Sequence, residues 1–261
     1  MLAAGIDVGS VAAKAVIFDS AAKAVVGSAL LPTGWNTREA GEAVLDAACH
    51  RAGASRNDLE QVVATGYGRI ALPFAQKTIT EITCHAKGAA WLFPGSGVVL
   101  DIGGQDSKAI SLDENGGVRD FVMNDKCAAG TGRFLQVLAG ILGMPLDELG
   151  KAAANGKPVP ISSMCAVFAE TEIVGLLAQG TAPADLAAGV FVSKARRMRG
   201  LARRIAFTGQ YVFTGGMATS PAFCSFLAQE LDMPVQVPEQ PQLVGALGAA
   251  LLAVQRVERK K

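Results

Sequence analysis

The chain has 261 residues, half of them hydrophobic, and its 24 basic and 23 acidic side chains leave a formal net charge of +1 at pH 7. This balance gives no electrostatic basis for nucleic acid as a main partner. The length suits two small domains with ample cores, and no apolar run of about 18 residues or more predicts a membrane span. The N-terminus lacks the basic start of a secretory signal, and Asp7 and Lys14 interrupt its apolar run, so we expect a cytoplasmic protein.

Hydrophobic periodicity predicts an α/β fold in two halves, each with three hairpin-linked strands that lead into helices. In the first half, strands are predicted at 3–9, 12–19, 24–31 and 61–65, and helices at 37–53 and 81–91. In the second half, strands are predicted at 97–102, 106–112, 117–123 and 210–214, and helices at 128–142, 146–154, 166–179, 182–207, 220–231 and 243–256. The turn-rich sequence Pro94-Gly95-Ser96-Gly97 is the best boundary, which predicts an N-terminal lobe at 1–95 and a C-terminal lobe at 96–261.

The first hairpin of each predicted half repeats the other in sequence. One contains Asp7-Val8-Gly9 and the other Asp101-Ile102-Gly103, and in both an Asp is followed by Gly at +2, Lys at +7, Ala at +8 and a second Asp at +12. Each copy has the pattern of a strand, a tight glycine turn and a second strand. One such turn is common for structural reasons, whereas two in register predict a cleft that grips the phosphate chain of a nucleotide.

The residue types at these turns suit phosphate binding. Gly9, Gly103 and Gly104 lack a Cβ, so backbone N–H groups can approach phosphate oxygens closely. Lys14 could reach a phosphate as a point charge. We therefore expect both turns to contact the nucleotide.

Acidic and amide side chains at the same turns suit Mg²⁺ and hydrolysis. Asp7 and Asp101 end their predicted strands towards one cleft and could hold Mg²⁺ through water. Gln105 and Asp106 follow the second turn directly. Asp101, Gln105 and Asp106 are thus the catalytic candidates for orienting or deprotonating an attacking water.

A third glycine-rich turn lies near the end of the chain. An apolar strand runs into Gly215, Gly216 and Met217, and a helix is predicted to begin near Ser220-Pro221. Such a corner lets backbone pack against an adenosine or direct N–H groups at phosphate. We expect it to contact the adenosine side of a nucleotide.

Two of the five cysteines are candidates for metal ligands. The odd number and the absence of a C-x-x-C motif argue against a disulfide framework and against a compact four-thiolate site in one chain. Cys127 and Cys165 each precede a predicted helix, whose N-terminus favours the thiolate. If they bind a four-thiolate cluster, a two-fold homodimer must supply two ligands from each subunit; the alternative is that each is a small buried hydrophobe.

For the other cysteines, His85 and the basic stretch, we favour a structural role over a functional one. Cys49, Cys224 and the Cys84-His85 pair are predicted to be buried structural residues, although adjacent Cys and His also invite a metal interpretation. The basic stretch from Lys194 to Arg204 has helical spacing and is interpreted as a solvated helix face. Contact with a nucleotide or an acidic partner is the alternative for that stretch.

Six segments together resemble one family: DVGS, DIGGQDSK, NDKCAAGTGRFL, ISSMCAVFAE, VFTGG and GALGAA. They resemble the ATPase activators (component A) of 2-hydroxyacyl-CoA dehydratases and the benzoyl-CoA reductase ATPase subunits, the BadF/BadG/BcrA/BcrD type. That family is similar to the sugar kinases, heat-shock chaperones and actin. The resemblance covers nearly the whole chain and implies a two-lobed actin-like ATPase fold made of duplicated ribonuclease H-like domains.

The resemblance also implies a function, an ATP-dependent electron-transfer activator that is oxygen-sensitive. Cys127 and Cys165 would ligate one [4Fe–4S] cluster shared across a homodimer, and each subunit would bind ATP or ADP with Mg²⁺. A ferredoxin or flavodoxin would donate the electron, and an iron–sulfur dehydratase or reductase would accept it. The residues expected at the nucleotide are Asp7, Gly9, Ser10, Val11, Ala12, Ala13, Lys14, Gly103, Gly104, Gln105, Asp106, Gly215, Gly216, Met217 and Gln242.

The first turn departs from the family pattern. Val11, Ala12 and Ala13 stand where family members often carry hydroxyl residues, while Ser10 and Lys14 remain. Phosphate contacts at this turn must therefore come mainly from backbone N–H groups. Two other functions stay open on the sequence: a small-molecule kinase of the same superfamily without a metal, and a chaperone-like nucleotide-dependent binding module.

Overall fold

The computed structural model describes residues 1–124, 132–162, 166–207 and 209–259, apart from the side chains of 133, 166 and 167. The first elements along the chain are β1 (Leu2–Val8), β2 (Ala12–Asp19), β3 (Ala24–Pro32), α1 (Thr37–Arg51), β4 (Leu59–Thr65), β5 (Lys77–Thr78) and α2 (Glu81–Leu92). They are followed by β6 (Ser96–Ile102), β7 (Ser107–Leu112), β8 (Val118–Asn124), α3 (Gly132–Ile141), α4 (Leu146–Asn155), α5 (Ala166–Ala178), α6 (Pro183–Ala202), β9 (Gln210–Gly215), α7 (Pro221–Leu231), β10 (Val235–Gln236) and α8 (Val244–Glu258).

Local sequence accounts for where several helices begin. The Asn36 side chain accepts hydrogen bonds from the N–H groups of Arg38 and Glu39 at the start of α1. The Thr80 hydroxyl caps α2, and Ser220 caps α7 with a proline in its first turn. These caps satisfy N–H groups that a helix cannot pair internally, so the three helices start where the sequence places a capping side chain.

The two sheets share one strand order. The first sheet runs β3-β2-β1-β4-β5 and the second runs β8-β7-β6-β9-β10. In the first sheet β1 pairs antiparallel with β2 and parallel with β4, and in the second β6 pairs antiparallel with β7. The duplicated α/β halves predicted from the repeated hairpins are thus confirmed.

The chain divides into two compact units, and the division differs from the sequence prediction. Unit 1 comprises Met1–Ser96, Leu112–Arg119 and Pro238–Lys261, and unit 2 comprises Gly97–Ser111 and Asp120–Val237. The prediction had assigned everything from 96 to 261 to the second lobe. The difference arises because α8 packs on β1 and α2, where Gly5 lacks the Cβ that would collide with the α8 backbone.

Each unit has its own core. In unit 1 the side of β1 that faces α8 packs small residues, such as Ala3 and Ala249, with Phe18 and Val63. In unit 2, the Phe223 ring contacts the rings of Phe191 and Phe213, with ring centroids 5.6 Å apart in each contact. None of the helices in the described ranges combines the length and apolar character that crossing a membrane requires.

Candidate functional site

The first predicted phosphate turn joins β1 to β2 in unit 1. The Gly9 N–H donates to the Ala12 carbonyl at 3.0 Å, which closes the turn, and the Thr33 hydroxyl donates to the Gly9 carbonyl at 2.7 Å. Strand register places Asp7 opposite Lys14, and Lys14 Nζ lies 3.1 Å from Asp7 Oδ2. The carboxylate is therefore held at the end of a buried strand beside a cation.

The second turn joins β6 to β7 in unit 2 and repeats this geometry. The Gly103 N–H donates to the Asp106 carbonyl at 2.9 Å, with the same spacing as Gly9 and Ala12. Asp101 lies opposite Lys108, whose Nζ is 3.2 Å from Asp101 Oδ2 and 2.7 Å from Asp106 Oδ1. Lys108 and Asp101 are buried and Asp106 is half-buried, so one buried cation balances two carboxylates.

The third glycine turn contributes to the same region of unit 2. The buried Thr214 hydroxyl donates to Asp101 Oδ1 at 2.8 Å. Gly215 ends β9, and Gly216 and Met217 begin a short 3₁₀ helix that ends at Thr219. The Met217 side chain is buried in the unit 2 core, so in this geometry it is the backbone of that residue, rather than its side chain, that could meet a ligand.

The other predicted nucleotide residues lie on these turns or near α8. Ser10 is half-buried and Val11 is exposed at the first turn, while Ala12 and Ala13 begin β2. Gly104 is half-buried at the second turn, and Gln105 is exposed and makes no hydrogen bond to described residues through its side chain. Gln242 is half-buried in a short 3₁₀ helix of unit 1 that precedes α8.

The two predicted cluster ligands, Cys127 and Cys165, lie outside the described residues. The chain resumes after Cys127 at Gly132, whose N–H donates to the Gly103 carbonyl at 2.9 Å. Before Cys165, the Ser162 N–H and hydroxyl both donate to Glu172 Oε1 in α5, at 2.9 and 2.7 Å. Within residues 1–124, 132–162, 166–207 and 209–259, no three His, Cys, Asp or Glu side chains lie together as metal ligands would.

The other three cysteines, Cys49, Cys84 and Cys224, are free thiols that are wholly or partly buried. Cys49 and Cys84 are buried and Cys224 is half-buried, and none forms a disulfide. Burial raises the pKa of Cys84 to about 12 and the pKa of Cys224 to about 11, and it also raises the pKa of Cys49. The buried structural interpretation of Cys49 and Cys84 is confirmed.

The basic stretch on α6 is only partly a solvated face. Lys194 is buried, with its ammonium 5.1 Å from the centre of the Phe134 ring. Arg196 and Arg199 form ion pairs with Glu230 at 2.9 and 3.0 Å. Three of its basic residues therefore have intramolecular partners that helical spacing alone does not indicate.

Sequence reasoning missed three features of the site. The first is Lys108, the partner of Asp101 and Asp106; the only sequence signal for it is the matching lysine in the repeat. Thr33 directly follows β3, and no local sequence pattern indicates its contact with Gly9. The third is Thr65-Gly66 at the end of β4, which matches Thr214-Gly215 at the end of β9; this second repeat is visible in the sequence once strand order is known.

The geometry of the two aspartates suits outer-sphere Mg²⁺. Each is a buried carboxylate at a strand end, paired with a lysine and next to a glycine turn. Mg²⁺ usually keeps several waters and binds through one or two carboxylates together with substrate phosphates. Such a donor set fits Asp7 and Asp101 better than a cage made wholly of protein ligands.

This chain is similar to known ATPases and dehydratase activators over nearly its full length. The BadF/BadG/BcrA/BcrD ATPase family matches residues 4–253. An activator of lactoyl-CoA dehydratase from Anaerotignum propionicum is 44% identical over 262 residues, covering 100% of both chains. A solved activator of the 2-hydroxyisocaproyl-CoA dehydratase from Clostridium difficile, with bound ADPNP, has a TM-score of 0.94 and 40% identity, covering 100% of this chain and 97% of that one.

More distant structures agree on the fold alone. A ROK family glucokinase from Streptomyces griseus is 14% identical, with a TM-score of 0.61 over 98% of this chain and 100% of its own. The α/β actin-like ATPase fold is thus confirmed. With two matching glycine turns and a family match that spans nearly every element, this chain belongs to the BadF/BadG/BcrA/BcrD ATPase family.

Proposed function

We propose that this ATPase is an activator that uses ATP to drive a low-potential electron into a partner iron–sulfur enzyme, such as a 2-hydroxyacyl-CoA dehydratase. The observation that carries the proposal is its full-length likeness to dehydratase activators, one of them solved with an ATP analogue. The two units then correspond to the two lobes of the ATPase. A ferredoxin or flavodoxin is the proposed electron donor.

The nucleotide would be held by backbone groups at the three turns. The N–H groups around Ser10 to Ala13 and around Gly104 are proposed to bind phosphates, and Gly215 and Gly216 to meet the adenosine side. Asp7 and Asp101 would hold Mg²⁺ through water, with Lys14 and Lys108 balancing their charge. Gln242 is proposed to join the nucleotide contacts from the segment before α8.

Gln105 is the best candidate for orienting the hydrolytic water. Asp101 accepts from Thr214 and contacts Lys108, and Asp106 contacts Lys108 at 2.7 Å. The oxygens of both carboxylates are therefore already engaged by protein groups. Gln105 is exposed, with its amide available to a water.

Cys127 and Cys165 are proposed to supply two of the four thiolates of a [4Fe–4S] cluster, the other two coming from a second copy of the chain. When bound, such a cluster supplies one-electron transfer at low potential. An exposed apolar surface next to this position supports a homodimer. Phe168 is 68% exposed and Val174 is 50% exposed on α5, which begins directly after Cys165.

A single hydrogen bond offers a route from nucleotide to cluster segment. The Gly132 N–H at the start of α3 donates to the Gly103 carbonyl of the second phosphate turn. A phosphate that repositions this turn would therefore pull on the chain five residues after Cys127. A nucleotide can shift such an equilibrium only by its differential affinity for the two arrangements, so ATP and ADP should differ in their contacts at Gly103 and Gly104.

The proposal is tested by anaerobic purification followed by electron transfer to a dehydratase partner with ATP, ADP or a non-hydrolysable analogue. We expect a brown protein with about four irons per dimer, and transfer that requires ATP. Equal transfer rates with all three nucleotides would contradict the proposal. A colourless protein that phosphorylates a small molecule would instead support the kinase alternative.

A matched cysteine pair tests the ligand assignment. Cys127→Ala should abolish the colour because it removes two thiolates from each dimer. Cys224→Ala should retain it, since Cys224 is a half-buried thiol whose sulfur contacts the Ala218 carbonyl at 3.5 Å. Full iron content in Cys127→Ala would remove this residue from the ligand set.

A further inference from the structure

One backbone conformation occurs at the same place in both sheets. Gly66 has φ 81° and ψ −178°, and Gly215 has φ 88° and ψ −176°. This region is adopted almost only by glycine. Each glycine follows a buried threonine at the end of the fourth strand of its sheet, and each precedes a short 3₁₀ helix.

Both glycines lie directly against a candidate magnesium aspartate. A Cβ at Gly66 would collide with Asp7 Oδ1 and come within 2.7 Å of the Val8 carbonyl oxygen. A Cβ at Gly215 would collide with the Ile102 carbonyl oxygen and come within 2.8 Å of Asp101 Oδ1. In both units, then, the space that a side chain would fill is taken by the aspartate and by the residue that follows it.

We infer that Gly66 and Gly215 are positioning residues that fix the carboxylates of Asp7 and Asp101 in the orientation that receives nucleotide-bound Mg²⁺. The inference rests on the proposed magnesium role of the two aspartates. Each carboxylate is confined on one side by its lysine and on the other by the bare face of a glycine. Mutation of a group that orients a metal ligand typically costs about 10–100-fold in metal affinity.

The two units differ in how the threonine before the glycine is hydrogen-bonded. In unit 2 the Thr214 hydroxyl also donates to Asp101 Oδ1, whereas among the described residues Thr65 makes no hydrogen bond to Asp7. Thr65 is nevertheless buried and aligned with Asp7 across β1 and β4. A threonine hydroxyl therefore helps to orient Asp101, whereas the described contacts of Asp7 include Lys14 and the backbone at Gly66 without a hydrogen bond from Thr65.

The test measures ADP affinity by calorimetry, with Mg²⁺ and with EDTA, for Gly66→Ala, Gly215→Ala and Gly95→Ala. Gly95 has φ 84° with nothing within 4 Å of an added Cβ, so it reproduces the positive-φ strain without the contact. We expect the first two variants to lose about 10–100-fold in the magnesium-dependent affinity. For Gly66→Ala, which lies outside the proposed nucleotide contacts, metal-free ADP affinity should be unchanged. Gly95→Ala should bind like the unmodified protein; the same loss in Gly95→Ala would overturn the inference.

A double-mutant cycle separates positioning from general damage. If Gly66 acts through Asp7, Gly66→Ala should have little further effect on magnesium-dependent ADP affinity in an Asp7→Asn background. Additive losses would contradict the inference. If the unmodified protein bound ADP equally with and without Mg²⁺, the proposed magnesium role itself would fail, which is a distinct outcome.

A second pair of variants covers the case in which the alanine variants do not fold. Thr214→Val removes the hydroxyl that holds Asp101 and keeps the shape of the side chain, and Thr65→Val makes the same change at the matching position. We expect Thr214→Val to weaken magnesium-dependent ADP binding and Thr65→Val to leave it unchanged. Equal effects of the two substitutions would contradict the assigned orientation of Asp101.

Discussion

At the scale of single residues, Lys108 is a cation that forms ion pairs with two carboxylates. It is buried and contacts the carboxylates of Asp101 and Asp106, whereas Lys14 is 15% exposed and contacts Asp7 alone. Lys108→Met should reduce the free energy of unfolding by about 3–5 kcal/mol, because it leaves the buried Asp101 carboxylate without its cation. Lys14→Met should cost less; equal losses in urea denaturation of the two variants would contradict this account.

The same residues show what sequence could and could not predict about the site. The repeat predicts that Asp7 and Asp101 occupy equivalent positions, each followed by a glycine turn. The structure has this arrangement, because strand register follows from local spacing. The contacts of Thr33 with Gly9, Thr214 with Asp101 and Gly66 with Asp7 join distant segments. Those depend on which strands become neighbours, and a local pattern does not encode that.

At the scale of elements, the crossing of α2 and α8 depends on glycine. A Cβ at Gly248 would collide with the Cys84 carbonyl oxygen and come within 2.9 Å of the Gly88 backbone nitrogen. Both obstacles are backbone atoms, so Gly248→Ala must separate the two helices, at a cost of roughly 1–3 kcal/mol or more. Thermal or urea unfolding measures the loss.

A matched glycine on α6 is the control for helix propensity. Gly200 lies in the last turn of α6 with nothing within 4 Å of an added Cβ. Gly200→Ala should stabilise the protein by about 0.5–1 kcal/mol, because alanine loses less conformational entropy in a helix. A loss of stability in Gly200→Ala similar to that in Gly248→Ala would show that helix packing is not the cause.

The elements with strong periodicity were predicted to within a few residues, and the exceptions have physical reasons. β5 and β10 were missed because each has two residues and cannot display an alternating pattern. The predicted helix at 182–207 ends at Ala202, where α6 gives way to a turn. The predicted helix at 128–142 is observed as α3 from Gly132, and residues 128–131 lie outside the described residues.

At the scale of the whole molecule, each unit is built from segments that are separated in the sequence. The first segment of unit 1 ends at Ser96, and its last segment begins at Pro238. The last helix returns to unit 1, where most of its residues are buried against β1, β2, β4 and α2. Its apolar pattern predicts a buried helix and does not say which sheet it covers, so this part of the division needed the structure.

This interleaving predicts that unit 1 cannot hold its fold without α8. A variant ending at Val237 keeps all of unit 2 but exposes the apolar face of β1 and β4, including Ala3 and Val63. In hydrogen exchange, we expect amides of β1, β2 and β4 to lose protection while those of β6, β9 and α6 keep it, because each unit has its own core. A peptide of residues 238–261 added in trans should restore protection to β1, and a variant ending at Glu258 should behave like the full chain. Unchanged protection of β1, or equal loss in β6, would show that α8 does not complete the core of unit 1.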